Sequence, residues 1–314
     1  MTLSIVVPCY NEEGSVLLFY EKITEILATS METWEITPEF IFVDDGSVDS
    51  TAATLKNLAA KDSRVRYIIF SRNFGKEAAL LAGLKKALRG GGGELIITMD
   101  ADLQDPPALI PPMLQAVDSG KFDCAGSRRI TRKGEPPVRS FFARSFYRLM
   151  KKISDIEIVD NARDFRLMNR AYLDAVLLLD ERNRFSKGIF PWVGFRVKWF
   201  EYENIQRVTG ETKWSFWRLF LYSLDGIIAF SSKPLAIASL LGVIIFTLSF
   251  LFIAFIIIRK IIFGDPVDGW ASTICAILFC SGIQLFTTGI LGQYLAKTYT
   301  EVKRRPHYII REEL

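Results

Sequence analysis

The sequence predicts an α/β domain on a mostly parallel sheet, followed by two membrane-crossing helices. Three observations carry this. The first half alternates short apolar runs with longer helix-patterned stretches, the runs end in polar clusters, and half of all residues are hydrophobic with the excess concentrated toward the C-terminus. Repeated strand–helix units put helices on both faces of a parallel sheet. Ligands of such sheets gather outside the C-terminal strand ends, where the strand order reverses.

Residues 3–8 form the first apolar run, and Asn11-Glu12-Glu13 opens a helical stretch to residue 27. Phe40-Ile41-Phe42-Val43 is a second strand ending in Asp44-Asp45-Gly46-Ser47, after which Asp49 is placed to cap a helix. Residues 65–70 make a third strand, and a helix follows Arg72-Asn73-Phe74-Gly75-Lys76 until four glycines stop it after Arg89. Leu95-Ile96-Ile97-Thr98-Met99 then runs into Asp100, Asp102 and Asp105, three carboxylates within six positions. If the extended conformation persists, Asp100 and Asp102 project to one side and repel unless a cation lies between them. Taken alone, this cluster leaves two readings open. One is a seat for a hard divalent ion, Mg2+ or Mn2+. The other is an acidic loop in which Asp105 caps a helix begun by Pro106 and Pro107.

Several classes are excluded. With 39 basic and 35 acidic residues the net charge is +4, too balanced to argue for nucleic acid as a partner. His307 is the single histidine, which leaves no His-rich metal site and no Ser/His/Asp machine. Cys9, Cys124, Cys275 and Cys280 form no CxxC pair and read as reduced. Neither GxGxxG after the first strand nor GxxxxGK[ST] occurs, and no signal peptide is read at the start of this sequence.

Residues 234–258 are 25 positions without a charge and 269–296 are 28 more. A bilayer core needs about 20 apolar residues as helix, so spans are expected over about 234–258 and 270–296. Before them, residues 139–153 place Phe142, Phe146, Leu149 and Ile153 on one stripe and Arg144, Arg148, Lys151 and Lys152 opposite, the pattern of an interfacial helix attracted to membrane lipids. Residues 206–232 read as a juxtamembrane segment with aromatics at 214–222, and 299–314 as a tail. Basic residues flank both outer ends of the span pair, so both ends are expected on the cytoplasmic side.

These motifs together resemble the family 2 glycosyltransferases with a GT-A fold. They are Val7-Pro8-Cys9-Tyr10-Asn11-Glu12-Glu13, Val43-Asp44-Asp45-Gly46-Ser47, Arg72-Asn73-Phe74-Gly75-Lys76-Glu77, Asp100-Ala101-Asp102-Leu103-Gln104-Asp105-Pro106 and Asp164-Phe165-Arg166-Leu167-Met168. Within that family the chain is most similar to polyprenyl-phosphate glycosyltransferases, the bactoprenol glucosyltransferases and dolichol-phosphate mannose synthases. The resemblance covers the whole chain and implies a GT-A domain over 1–205. It implies that Pro8, Tyr10, Asn11, Glu12, Asp44, Asp45, Lys76, Asp100, Gln104 and Arg128 bind a nucleotide-sugar donor. Asp100 and Asp102 would hold Mg2+ or Mn2+ at the diphosphate. Asp102, Asp164 and Arg166 would serve catalysis, and Arg139 and Lys213 would meet the phosphate of a polyprenyl (undecaprenyl) phosphate acceptor. The implied reaction is inverting transfer of glucose from UDP-glucose, or of N-acetylglucosamine, with GDP-mannose as an alternative donor. The implied location is the bacterial plasma membrane, with the catalytic domain cytoplasmic. A small flippase partner and self-association follow by analogy. A processive polysaccharide synthase and a non-catalytic nucleotide-sugar sensor are the competing readings; the first lacks its QxxRW-type motif here.

Overall fold

The computed structural model describes residues 1–89, 94–130, 159–203, 228, 231–263 and 269–314. An eight-stranded sheet organises the chain: β1 (Thr2–Cys9), β2 (Thr37–Asp44), β3 (Val65–Phe70), β4 (Leu95–Thr98), β5 (Cys124–Arg129), β6 (Ala162–Asn169), β7 (Val197–Tyr202) and β8 (Ile310–Glu313), in the order β7-β5-β6-β4-β1-β2-β3-β8. β1 pairs in parallel with β2 and β4, β2 with β3, and β5 with β7, while β6 and β8 run against their neighbours. The order reverses beside β1, which is where such a sheet opens a crevice.

Helices cover both faces. On one side lie α1 (Val16–Trp34), α2 (Thr51–Lys61) and α4 (Ile110–Asp118). Their Phe19, Ile23, Leu55 and Met113 pack on Leu3, Ile5, Phe40 and Phe42. On the other lie α3 (Lys76–Arg89), α5 (Arg170–Leu178) and α6 (Ser186–Trp192), whose Leu80, Leu84, Tyr172 and Phe190 pack on Val6, Ile41 and Val43. Alternate residues of β1 and β2 thus feed opposite cores, which is why these strands are apolar throughout rather than alternating. α3 lies close to β1 because Gly83 faces it; a Cβ there would meet Val6 Cγ1 at 2.3 Å.

Two long helices follow, α7 (Lys233–Phe263, 31 residues) and α8 (Trp270–Lys303, 34 residues). Among the described residues, one segment is long and apolar enough to cross a membrane, Lys233–Phe252, with mean hydropathy 2.6. The expected interfacial helix at 139–153 and most of the juxtamembrane segment, with Arg139 and Lys213, lie outside the described residues.

The C-terminal residues are not a separate tail. α8 continues to Lys303, and β8 then closes the outer edge of the sheet on β3. Tyr308 stacks on Phe70 with ring centroids 4.9 Å apart, and Glu312 takes hydrogen bonds from Lys56 Nζ at 2.5 Å and the Tyr67 hydroxyl at 3.0 Å. The last turns of α8 are held as well: Glu301 accepts from the Arg182 and Asn183 amides at 2.6 and 3.3 Å, and Lys297 donates to Asn183 Oδ1 at 3.1 Å.

Candidate active site

The predicted polar clusters meet at the rim made by the C-terminal ends of β1, β2 and β4 and the start of β6. The loops after β1 and β2 are laced together. The Asn11 amide donates to Ser47 Oγ at 2.9 Å, the Val48 amide to Asn11 Oδ1 at 3.0 Å, and the Glu12 amide to Thr51 Oγ1 at 2.9 Å. Asn11 adopts a left-handed backbone, φ 54°, which asparagine tolerates better than most residues. Gly46, φ 68°, lies so close to the next loop that a Cβ would sit 2.3 Å from the Arg72 carbonyl carbon. Tyr10 remains 38% exposed at the mouth, and Pro8 is partly buried below it.

Asp44 and Asp45 are nearly sealed off from solvent. Asp44 Oδ1 accepts from the Ser47 amide and hydroxyl, while its Oδ2 is buried without a partner. Burial raises the Asp44 carboxyl above its ordinary value, against the Ser47 bonds. Asp45 accepts from the Phe74 amide at 2.6 Å and the Gly75 amide at 2.9 Å, fixing the loop that ends at Lys76. Burial pushes Asp45 up to about 6 despite those two donors. The folded chain therefore holds this proton more tightly than the unfolded one, so the cost of burying the carboxylate is fully present above about pH 6 and is relieved as pH falls through 6 toward 4. Asp45→Asn is accordingly expected to improve relative to wild type between pH 5 and pH 7, followed as the thermal unfolding midpoint; a gap moving the other way contradicts the burial assignment.

β4 ends at Thr98, a turn follows at residues 101–102, and Leu103 is left-handed at φ 53°. Asp102 lies in that turn, so the strand alternation that would display it beside Asp100 is broken. Because Thr98 pairs with Arg166 across antiparallel β4 and β6, the continuation brings Asp100 opposite Asp164. A cation does sit between two carboxylates here, but it is the ammonium of Lys76, 2.7 Å from Asp100 Oδ1 and 2.5 Å from Asp164 Oδ2. Burial works against that charge, yet the two aspartates outweigh it and hold Lys76 well above an ordinary lysine. Burial likewise disfavours the Asp164 carboxylate, but Lys76 and Lys187 keep it ionised, well below the usual range. Asp102 is largely buried and accepts from the Gln104 amide at 3.2 Å.

Asp105 is no helix cap. It is buried and takes hydrogen bonds from Arg163 Nε at 3.0 Å and from the Tyr202 hydroxyl, while Pro106 occupies the cap position of the following turn. Arg163 also reaches within 4.0 Å of Asp100. Arg128, expected among the donor-binding residues, lies inside β5, and neighbouring side chains diverge: Arg128 pairs with Glu201, whereas Arg129 donates to Gln104 Oε1 at 3.0 Å. Arg166 is withdrawn from the rim, 2% exposed and sandwiched between the rings of Phe190 and Trp199. Arg129, Arg163 and Lys187 are thus rim or near-rim residues that sequence reasoning passed over. Of these, Arg163 could have been found, because it adjoins Asp164 in the motif already singled out.

A three-layer α/β/α sheet whose acidic rim opens at the point of strand reversal defines the class of α/β proteins that bind ligands at the C-terminal ends of their strands. The family model for glycosyl transferase family 2 matches residues 4–177. A prophage bactoprenol glucosyl transferase homolog of Escherichia coli (strain K12) is 40% identical over 311 residues, 99% of each chain. The SfII prophage-derived bactoprenol glucosyl transferase of Shigella flexneri is 40% identical over 312 residues, 99% of this chain and 98% of that one. A glycosyltransferase of Synechocystis whose name states no substrate is 41% identical over 98% of this chain and 94% of its own. The chain belongs to glycosyl transferase family 2 and is a glycosyltransferase with a GT-A-like fold. Among solved structures, glucosyl-3-phosphoglycerate synthase from Mycobacterium tuberculosis in complex with Mn2+, UDP-glucose and phosphoglyceric acid is similar over 72% of this chain and 77% of that one, at 19% identity and a TM-score of 0.44. That likeness is too remote to carry residue correspondences.

Proposed function

We propose that this enzyme transfers a sugar, glucose from UDP-glucose in the first instance, to a polyprenyl phosphate at the cytoplasmic face of a membrane, with inversion at the anomeric carbon. The observation that carries this reading is that the chain, after the long apolar helix α7 and then α8, returns through β8 to the same sheet that carries the acidic rim. The names of the full-length relatives supply the lipid and the sugar. The return of the chain to the sheet also favours two spans. If α7 crosses a bilayer, the chain must cross back before β8 can pair with β3. α8, 34 residues or about 50 Å of helix, exceeds the roughly 30 Å needed. This supports a domain at 1–205 that β8 completes from residues 310–313, a juxtamembrane segment at 206–232 and spans within 233–298.

In this reading the loops carrying Pro8, Tyr10, Asn11, Glu12, Asp44 and Asp45 receive the nucleoside, and Gln104 with Arg129 lines the diphosphate end, while Arg128 would have to leave Glu201 to join them. Arg139 and Lys213 remain assigned to the acceptor phosphate on their sequence motifs. Asp100 and Asp102 offer hard oxygen donors, and the ammonium already lodged on Asp100 marks a seat that favours positive charge. A divalent ion bound there would supply charge to the departing diphosphate. The acceptor needs no strong base, because a phosphate monoester with a second pKa of about 6 is already largely dianionic at neutral pH. Asp164 agrees with this: a carboxylate held firmly ionised by lysines is a poor proton acceptor and is better suited to orienting a sugar hydroxyl or Lys76.

The test is to incubate membranes carrying the enzyme with undecaprenyl phosphate and labelled UDP-glucose, UDP-N-acetylglucosamine or GDP-mannose, with and without chelator. A glucosyl-lipid product lost on chelation is expected. A mannosyl lipid would move the assignment to a mannose synthase, a growing polymer to a processive synthase, and bound nucleotide without any product to a sensor.

A further inference from the structure

Lys76 is the first residue of α3, delivered to the rim by a loop that Asp45 pins through the Phe74 and Gly75 amides. Its ammonium contacts both oxygens of Asp100, at 2.7 and 2.8 Å, and Asp164 at 2.5 Å. The backbone behind it is fixed, but the side chain is 41% exposed, so its flexible four-carbon stem has open space into which to swing. Among the described residues no three His, Cys, Asp or Glu side chains converge as a metal site. A divalent ion approaching the protein alone would therefore find few protein ligands, and at Asp100 it would meet a like charge within hydrogen-bond distance. A diphosphate changes both terms: it brings oxygens that complete the metal's shell, as Mg2+ sites with one or two carboxylates require, and it brings negative charge that can take the ammonium.

We infer that Lys76 is a displaceable internal counter-cation, which neutralises Asp100 and Asp164 while the donor is absent, keeps free divalent metal off Asp100, and passes to the diphosphate when metal and nucleotide enter together. This rests on the metal-dependent donor site described above. It makes metal and nucleotide binding mutually reinforcing, with Lys76 as a source of the coupling.

Mn2+ binding to the purified full chain in detergent, read from the electron paramagnetic resonance signal of free Mn2+ with and without UDP, tests this without any turnover. Wild type is expected to bind Mn2+ weakly alone and about tenfold or more tightly with UDP. Lys76→Gln should raise the nucleotide-free Mn2+ affinity by about tenfold and shrink the gain from UDP. Lys76→Met, which keeps the stem's apolar contacts, should do the same and serves if the glutamine variant loses its fold. Lys76→Arg, which keeps the charge, should behave as wild type. Folded Gln and Met variants that bind nucleotide-free Mn2+ no better than wild type overturn the inference. If instead UDP leaves Mn2+ binding unchanged in wild type, the underlying donor-site reading falls, and the two failures are told apart by which protein shows them.

Discussion

Asp102→Asn is expected to reduce sugar transfer to lipid by about 10²–10³-fold while leaving the fold and membrane insertion intact. Asparagine matches aspartate in shape and keeps an oxygen for the Gln104 amide, so the loop after β4 retains that hydrogen bond. What it removes is one full negative charge from a largely buried position beside Asp100. That charge has few substitutes, because Asp100 is shared with Lys76 and approached by Arg163. The loss should therefore fall on the maximal rate and on Mn2+ affinity in the presence of UDP, with little change in the unfolding midpoint. Asp102→Ala should be at least as inactive but also less stable, since it abandons the amide. Near-normal transfer by the asparagine variant, measured as labelled lipid formed per enzyme, would show that Asp102 holds no metal and would return the cluster to an acidic loop.

The fold was legible because the strands that matter are buried on both faces and end in polar residues. Residues 3–8, 40–43, 65–70 and 95–98 all lie in strands that pair in parallel with a neighbour, the expected fourth run ending one residue early, and α3 ends at Arg89. Less visible were the antiparallel elements. β6 contains Asp164 and Arg166, two residues apart on one strand, and the sequence treats them alike; the structure separates them because one lies level with the rim and the other a rung deeper, between Phe190 and Trp199. β8 was hidden because Ile310-Arg311-Glu312-Glu313 is short and charged, which is how a sheet edge is expected to look, and because its partner lies some 240 residues away. The site was legible as a set of loops but not as a set of pairs. Nothing in the spacing of Gly75, Lys76 and Asp100 announces that the lysine occupies the acid, since that contact depends on α3 starting beside the end of β4.

Arg163→Met is expected to be among the most destabilising single changes in the catalytic domain, costing about 3–5 kcal/mol, or about 10 °C in midpoint. The reason lies in the asymmetry of its partner. The Asp105 side chain is 1% exposed and Arg163 24%, so the acid cannot reach water when the guanidinium is gone, whereas the arginine could if the acid were gone. Asp105 would keep the Tyr202 hydroxyl on one oxygen, while its other oxygen already lacks a partner. Asp105→Leu should therefore cost less than Arg163→Met. The double variant should be more stable than the sum of the two single effects, because it removes the stranded charge along with its partner. Differential scanning of the three variants in detergent checks this, and equal costs for the two single changes, or strict additivity, would contradict it. The same substitution bears on chemistry: Arg163 ties the acidic turn to β6 and, through Asp105 and Tyr202, to the end of β7, so a folded Arg163→Met should also transfer sugar poorly. Arg163→Lys separates these effects. It retains a charge near Asp100 but lacks the fork that binds Asp105 from the side, so it should recover more activity than stability.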